Sequence, residues 1–74
     1  MVTTYLDDYG NKATIEKVEV FPYRSSPVKE EGFRLTCMAT YENDFVFYVN
    51  LYETRLEALN KLSRFSNGTF KKQD

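Results

Sequence analysis

Phe33-Arg34-Leu35-Thr36-Cys37-Met38-Ala39-Thr40-Tyr41, then Glu42-Asn43-Asp44, then Phe45-Val46-Phe47-Tyr48-Val49-Asn50-Leu51 is the stretch that decides the fold. Both runs place apolar residues on odd positions, the period of a strand with one buried face. The polar residues between them predict an antiparallel hairpin. A slip of one residue turns a whole strand face over, so the register also decides which side chains are left for a partner. Pairing Tyr41 with Phe45 across a three-residue loop, Glu42 to Asp44, sets Ala39, Cys37 and Leu35 opposite Phe47, Val49 and Leu51. A two-residue turn would put the two best apolar rows on opposite faces. The three-residue loop is therefore the expectation, with all odd positions in the core.

On the N-terminal side, Val2 to Leu6 reads as a strand running into Asp7-Asp8-Tyr9-Gly10-Asn11, where Gly10 and Asn11 suit a turn with positive φ. The returning strand, Ala13 to about Tyr23, carries Ile15 and then Val18 and Val20. Its alternation changes phase near Glu16 and Lys17, which predicts a β-bulge there. Pro22 marks a strand end, and Arg24 to Gly32 reads as a surface loop.

On the C-terminal side, Thr54-Arg55-Leu56-Glu57 matches a capping box, so a helix is expected to begin at Arg55. Leu56, Ala58, Leu59, Leu62 and Phe65 form its apolar stripe. Ser66-Asn67-Gly68 stops it, and residues 69–74 are expected to add a short strand or fray. The fold class is thus α+β: a four-stranded antiparallel meander with one C-terminal helix packed on one face, in a single domain spanning residues 1–74.

Composition narrows the function. The chain has 74 residues, 42% of them hydrophobic, with six Tyr, six Phe, one Cys and no His, so its core must be dense for its size and no disulfide is possible within it. Cys37, in an alternating run, reads as a small core residue in a reducing, cytoplasmic compartment. The N-terminus shows no leader pattern and no run long enough to span a membrane. Without histidine the common general base is missing, and no nucleophile elbow, phosphate loop or metal-ligand spacing is present. Asp7 and Asp8 lack the closing Glu of a calcium loop, since Val18 stands there. No catalytic residue, cofactor, metal or small-molecule substrate is expected, and the protein is read as a non-enzyme.

Three binding readings follow. The first is a protein-interaction module, in its simplest form a homodimer, using the even-numbered sheet face through Met38, Val46 and Tyr48. The second is nucleic-acid binding. Residues 1–53 hold five Lys or Arg against nine Asp or Glu, whereas residues 54–74 hold five against two. Arg34, Lys61, Arg64, Lys71 and Lys72 would then contact phosphates, with Tyr48 as a stacking platform. A net charge of −1 and the absence of glycine-aromatic RNA-binding runs weigh against it. The third is a small regulatory or inhibitory protein presenting Glu16, Glu19, Glu30 and Glu31 to a basic partner.

Overall fold

The computed structural model describes residues 1–20 and 30–73 of the chain. One antiparallel sheet contains β1 (Val2–Leu6), β2 (Lys12–Val20), β3 (Glu30–Tyr41), β4 (Asp44–Tyr52) and β5 (Lys71–Lys72), in the order β4-β3-β2-β1-β5. The first four strands form the expected meander. The sheet has five strands instead of four because the chain after the helix returns to the free edge of β1, pairing Leu6 with Lys71 and Tyr5 with Lys72. The Gln73 amide adds a bond to the Thr4 carbonyl at 2.9 Å. Among the described residues there is one α-helix, α1 (Arg55–Leu62), and it lies after β4 rather than at the end of the chain.

α1 begins where the capping pattern places it. Thr54 is extended, and its Oγ1 accepts from the Glu57 amide at 3.2 Å while donating to the Glu57 carboxylate at 3.1 Å. Such a cap is worth about 1 kcal/mol. The helix is shorter than its apolar stripe suggests. It ends at Leu62, and Phe65 lies beyond it in an isolated bridge with Tyr41. Ser66, Asn67 and Gly68 all take positive φ, at 49°, 53° and 76°. A Cβ at Gly68 would also stand 3.2 Å from the Ser63 carbonyl oxygen, so glycine is needed there for shape as well as space. This bend seats Phe65 in the core.

The core lies between α1 and one face of the sheet. Ala58 and Leu62 from the helix, and Phe65 after it, meet Tyr5, Ala13, Ile15, Leu35, Cys37 and Ala39. Leu56 does not join them and is 66% exposed, because two residues of helix turn it about 160° away from the buried Ala58, to the solvent side. Asp7 ties the β1–β2 turn to the segment after the helix. Its carboxylate accepts from the Ser66 hydroxyl at 2.5 Å, the Asn11 side-chain amide and backbone amide at 2.8 Å each, and the Tyr9 amide at 2.9 Å.

Two further expectations are corrected. The β2–β3 ladder runs unbroken from Ala13–Cys37 to Val20–Glu30, with no bulge at Glu16 or Lys17. At that end of the sheet Lys17 is exposed and pairs with Glu31 at 3.1 Å, so the alternation had no buried face to keep. Glu30, Glu31 and Gly32 belong to β3 instead of a loop. The expectations for Pro22 and for residues 24–29 lie outside the described residues.

Candidate interaction surface

The β3–β4 turn fixes which face of β4 is open. Tyr41 pairs with Asp44 across a two-residue turn, and the ladder continues through Ala39–Val46, Cys37–Tyr48, Leu35–Asn50 and Phe33–Tyr52. The expected pairing of Tyr41 with Phe45 is therefore wrong by one residue. Glu42 makes the tight turn by adopting φ 57°, a conformation that a residue with a Cβ takes only at a cost of about 1 kcal/mol or more.

Packing on the helix side offsets that cost. The Tyr41 ring lies 4.9 Å from the Phe65 ring, centroid to centroid, and the Tyr48 ring lies 5.4 Å from it, both tilted by 50°. Lys61 caps the cluster, its Nζ 4.6 Å from the Tyr41 centroid and 5.4 Å from that of Tyr48, and donates to the Tyr41 hydroxyl at 3.3 Å. The hydrogen bond from Lys61, with a second from Arg64, holds the Tyr41 phenol below its ordinary pKa. Burial, then the hydrogen bond with Tyr48, pushes Tyr52 up to about 12. Tyr48 also accepts from the Asn50 side-chain amide at 3.1 Å. Even-numbered β4 residues thus suit a half-buried wall: large rings inward, hydroxyls at the rim. A shallow recess of about 220 Å³ remains there, lined by Tyr41, Val46, Phe47, Tyr48, Lys61 and Phe65.

The consequence falls on the opposite face. Phe45, Phe47, Val49 and Leu51 point away from the helix and are 61%, 66%, 49% and 53% exposed. Met38, opposite Phe47, is exposed beside them. These five residues form one apolar stripe on β4, the last strand of the sheet, and its neighbour β3. Farther in, the face turns polar: Thr36 stands beside Thr14, and Thr14 beside Thr4, while Arg34 forms an ion pair with Glu16. No residue from Phe45 to Tyr52 is charged.

Of the three interaction residues read from the sequence, Met38 is on the open face, whereas Val46 and Tyr48 are half-buried on the helix side. Phe45, Phe47, Val49 and Leu51 were missed because they were assigned to the core. The signal was present in their run: a strand with apolar residues on both faces has one row more than a single helix can cover.

The basic residues do not gather into one track. Lys61 and Arg64 flank Tyr41 at the β4 side, Arg34 is engaged with Glu16, and Lys71 and Lys72 are on β5 at the opposite edge of the sheet. Of the acidic residues, Glu16 and Glu31 are paired with Arg34 and Lys17. Cys37 is buried, and burial, reinforced by the nearby Asp7 charge, pushes its thiol up to about 11. Among the described residues no cluster of carboxylates and thiols has the arrangement of a metal site, and no helix is long and apolar enough to cross a membrane. Comparison of the chain with family models, with curated proteins and with solved structures gives no match.

Proposed function

We propose that this protein is a non-catalytic interaction module that binds another protein through the open face of its sheet, at the stripe formed by Met38, Phe45, Phe47, Val49 and Leu51. The observation that carries the reading is the exposure of four consecutive odd-numbered apolar residues on a strand that is uncharged from Phe45 to Tyr52. Scattered single apolar residues are ordinary on protein surfaces, but a contiguous stripe of aromatic and aliphatic side chains has the size and chemistry of a recognition site. The neutral, buried Cys37 thiol suits a reducing, cytoplasmic setting.

Nucleic-acid binding receives less support, because the basic residues lie at opposite edges and the open face offers apolar side chains instead of cations.

The test is site-specific photo-crosslinking in cells, with a benzophenone amino acid at position 47 and, as a control on the helix at the other face of the sheet, at position 56. Protein adducts from position 47 and none from position 56 are expected. An absence of protein adducts at position 47 overturns the reading.

A further inference from the structure

We propose that a second copy of this chain covers the stripe, the two open faces stacked about a twofold axis with their β4 strands antiparallel. This rests on the reading of the open face as a protein-binding surface and names its occupant.

Three observations support a second copy. The first is area. A fully exposed large apolar side chain presents roughly 150–200 Å², so the exposed fractions of Met38, Phe45, Phe47, Val49 and Leu51 leave about 500 Å² of apolar surface per copy. Two copies together would remove about 1,000 Å² from water, the lower size of a specific interface, before any rim is counted. The second is charge within the stripe. Each chain carries a net −1, but none of the five stripe residues titrates, so two stripes meet without opposing like charges.

The third is shape along the stripe, which selects the orientation. Antiparallel seating places Phe45 over Leu51 and Phe47 over Val49, so a ring meets a smaller aliphatic side chain throughout, whereas parallel seating sets ring on ring and aliphatic on aliphatic. A twofold axis that sets the β4 strands antiparallel runs across them, so the two sheets overlap from β4 inward, strand over like strand, and Thr14 faces the partner's β2. The self-complementary contact closes at two copies.

Light scattering on a sizing column at about 100 µM is expected to give a mass near twice 8.7 kDa. Phe47→Asp should return it to a monomer with an unchanged far-ultraviolet circular dichroism spectrum, and Leu56→Lys, on the helix at the other face of the sheet, should leave the dimer intact. A second measurement does not depend on Phe47→Asp folding. Phe45→Cys and Leu51→Cys single variants, mixed and oxidised, should form a disulfide-linked heterodimer that neither forms alone.

A wild-type monomer overturns the second copy. If position 47 still gives adducts to a different protein in cells, the binding face stands and only its occupant changes. A dimer that survives Phe47→Asp, or crosslinks from Phe45→Cys alone in place of the mixed pair, overturns the stacking proposed here. Loss of all adducts at position 47 together with a monomer overturns both readings.

Discussion

Cys37 pairs with Tyr48 across the β3–β4 ladder, one position away from Val49. That single step sends Val46 and Tyr48 to the helix and leaves Phe47 and Val49 in solvent, so adjacent residues on β4 should respond oppositely to the same substitution.

Val46→Asp places a carboxylate in the half-buried wall beside Phe65 and is expected to cost about 2 kcal/mol or more of folding stability. Phe47→Asp should change monomer stability by no more than about 0.5 kcal/mol. Urea unfolding at low protein concentration checks both values, and equal losses from the two variants would contradict the assignment of faces.

Asp7 should make stability depend on acid. Burial raises its pKa, but hydrogen bonds from Ser66, from the Asn11 side chain and from the Asn11 and Tyr9 amides outweigh that and hold it below the ordinary carboxylate value. A folded-state pKa below the unfolded one stabilises the fold above the unfolded value of about 3.9 and loses that contribution as pH falls through it toward the lower folded value. The urea midpoint of the wild type is therefore expected to drop below about pH 4. Asp7→Asn, which replaces one acceptor oxygen by a donor, should cost about 1–3 kcal/mol at neutral pH and flatten that acid dependence. An unchanged acid profile in Asp7→Asn would remove Asp7 as its source.

Cys37 should be inert. With its thiol at about 11 instead of 9.0, the thiolate available at pH 8 falls about 100-fold, and burial hinders access further. Iodoacetamide labelling at pH 8 is expected to proceed only in denaturant. Labelling of the native protein at the rate of a free thiol would contradict the packing of β3.

Lys61 should set the titration of Tyr41. Its ammonium donates to the phenol and lies over the ring, so Lys61→Met is expected to raise the Tyr41 pKa toward the ordinary tyrosine value. Phenolate absorbance followed against pH measures the shift. No change would mean that Lys61 does not sit over the ring in solution.

Local signals in the chain spoke for local structure. Thr54 and Glu57 announce the helix start, Gly10 and Gly68 take the positive φ that their positions suggest, and the alternation of β3 marks Leu35, Cys37 and Ala39 as core. The β4 face was harder to read because its two rows are nearly matched in hydrophobicity. Tyr48 and Tyr52 look more polar than Phe47 and Leu51, yet their rings bury well when their hydroxyls find a partner, here each other at 2.5 Å. The deciding turn depends on Glu42 at positive φ, which a glutamate does not advertise. Phe65 was recognised as core, but the three left-handed residues that seat it do not read as a bend, since Ser66 is not a residue that favours such φ. The fifth strand is two lysines long and has no alternation to detect.

The β3–β4 register decides which side chains stand on the open face, and cysteine pairing measures that register directly. Thr40 stands opposite Phe45, so Thr40→Cys with Phe45→Cys is expected to close an intramolecular disulfide on mild oxidation, while Thr40→Cys with Val46→Cys stays reduced. A disulfide in the second pair and none in the first would return Val46 and Tyr48 to the open face, bury Phe47 and Val49, and contradict the account.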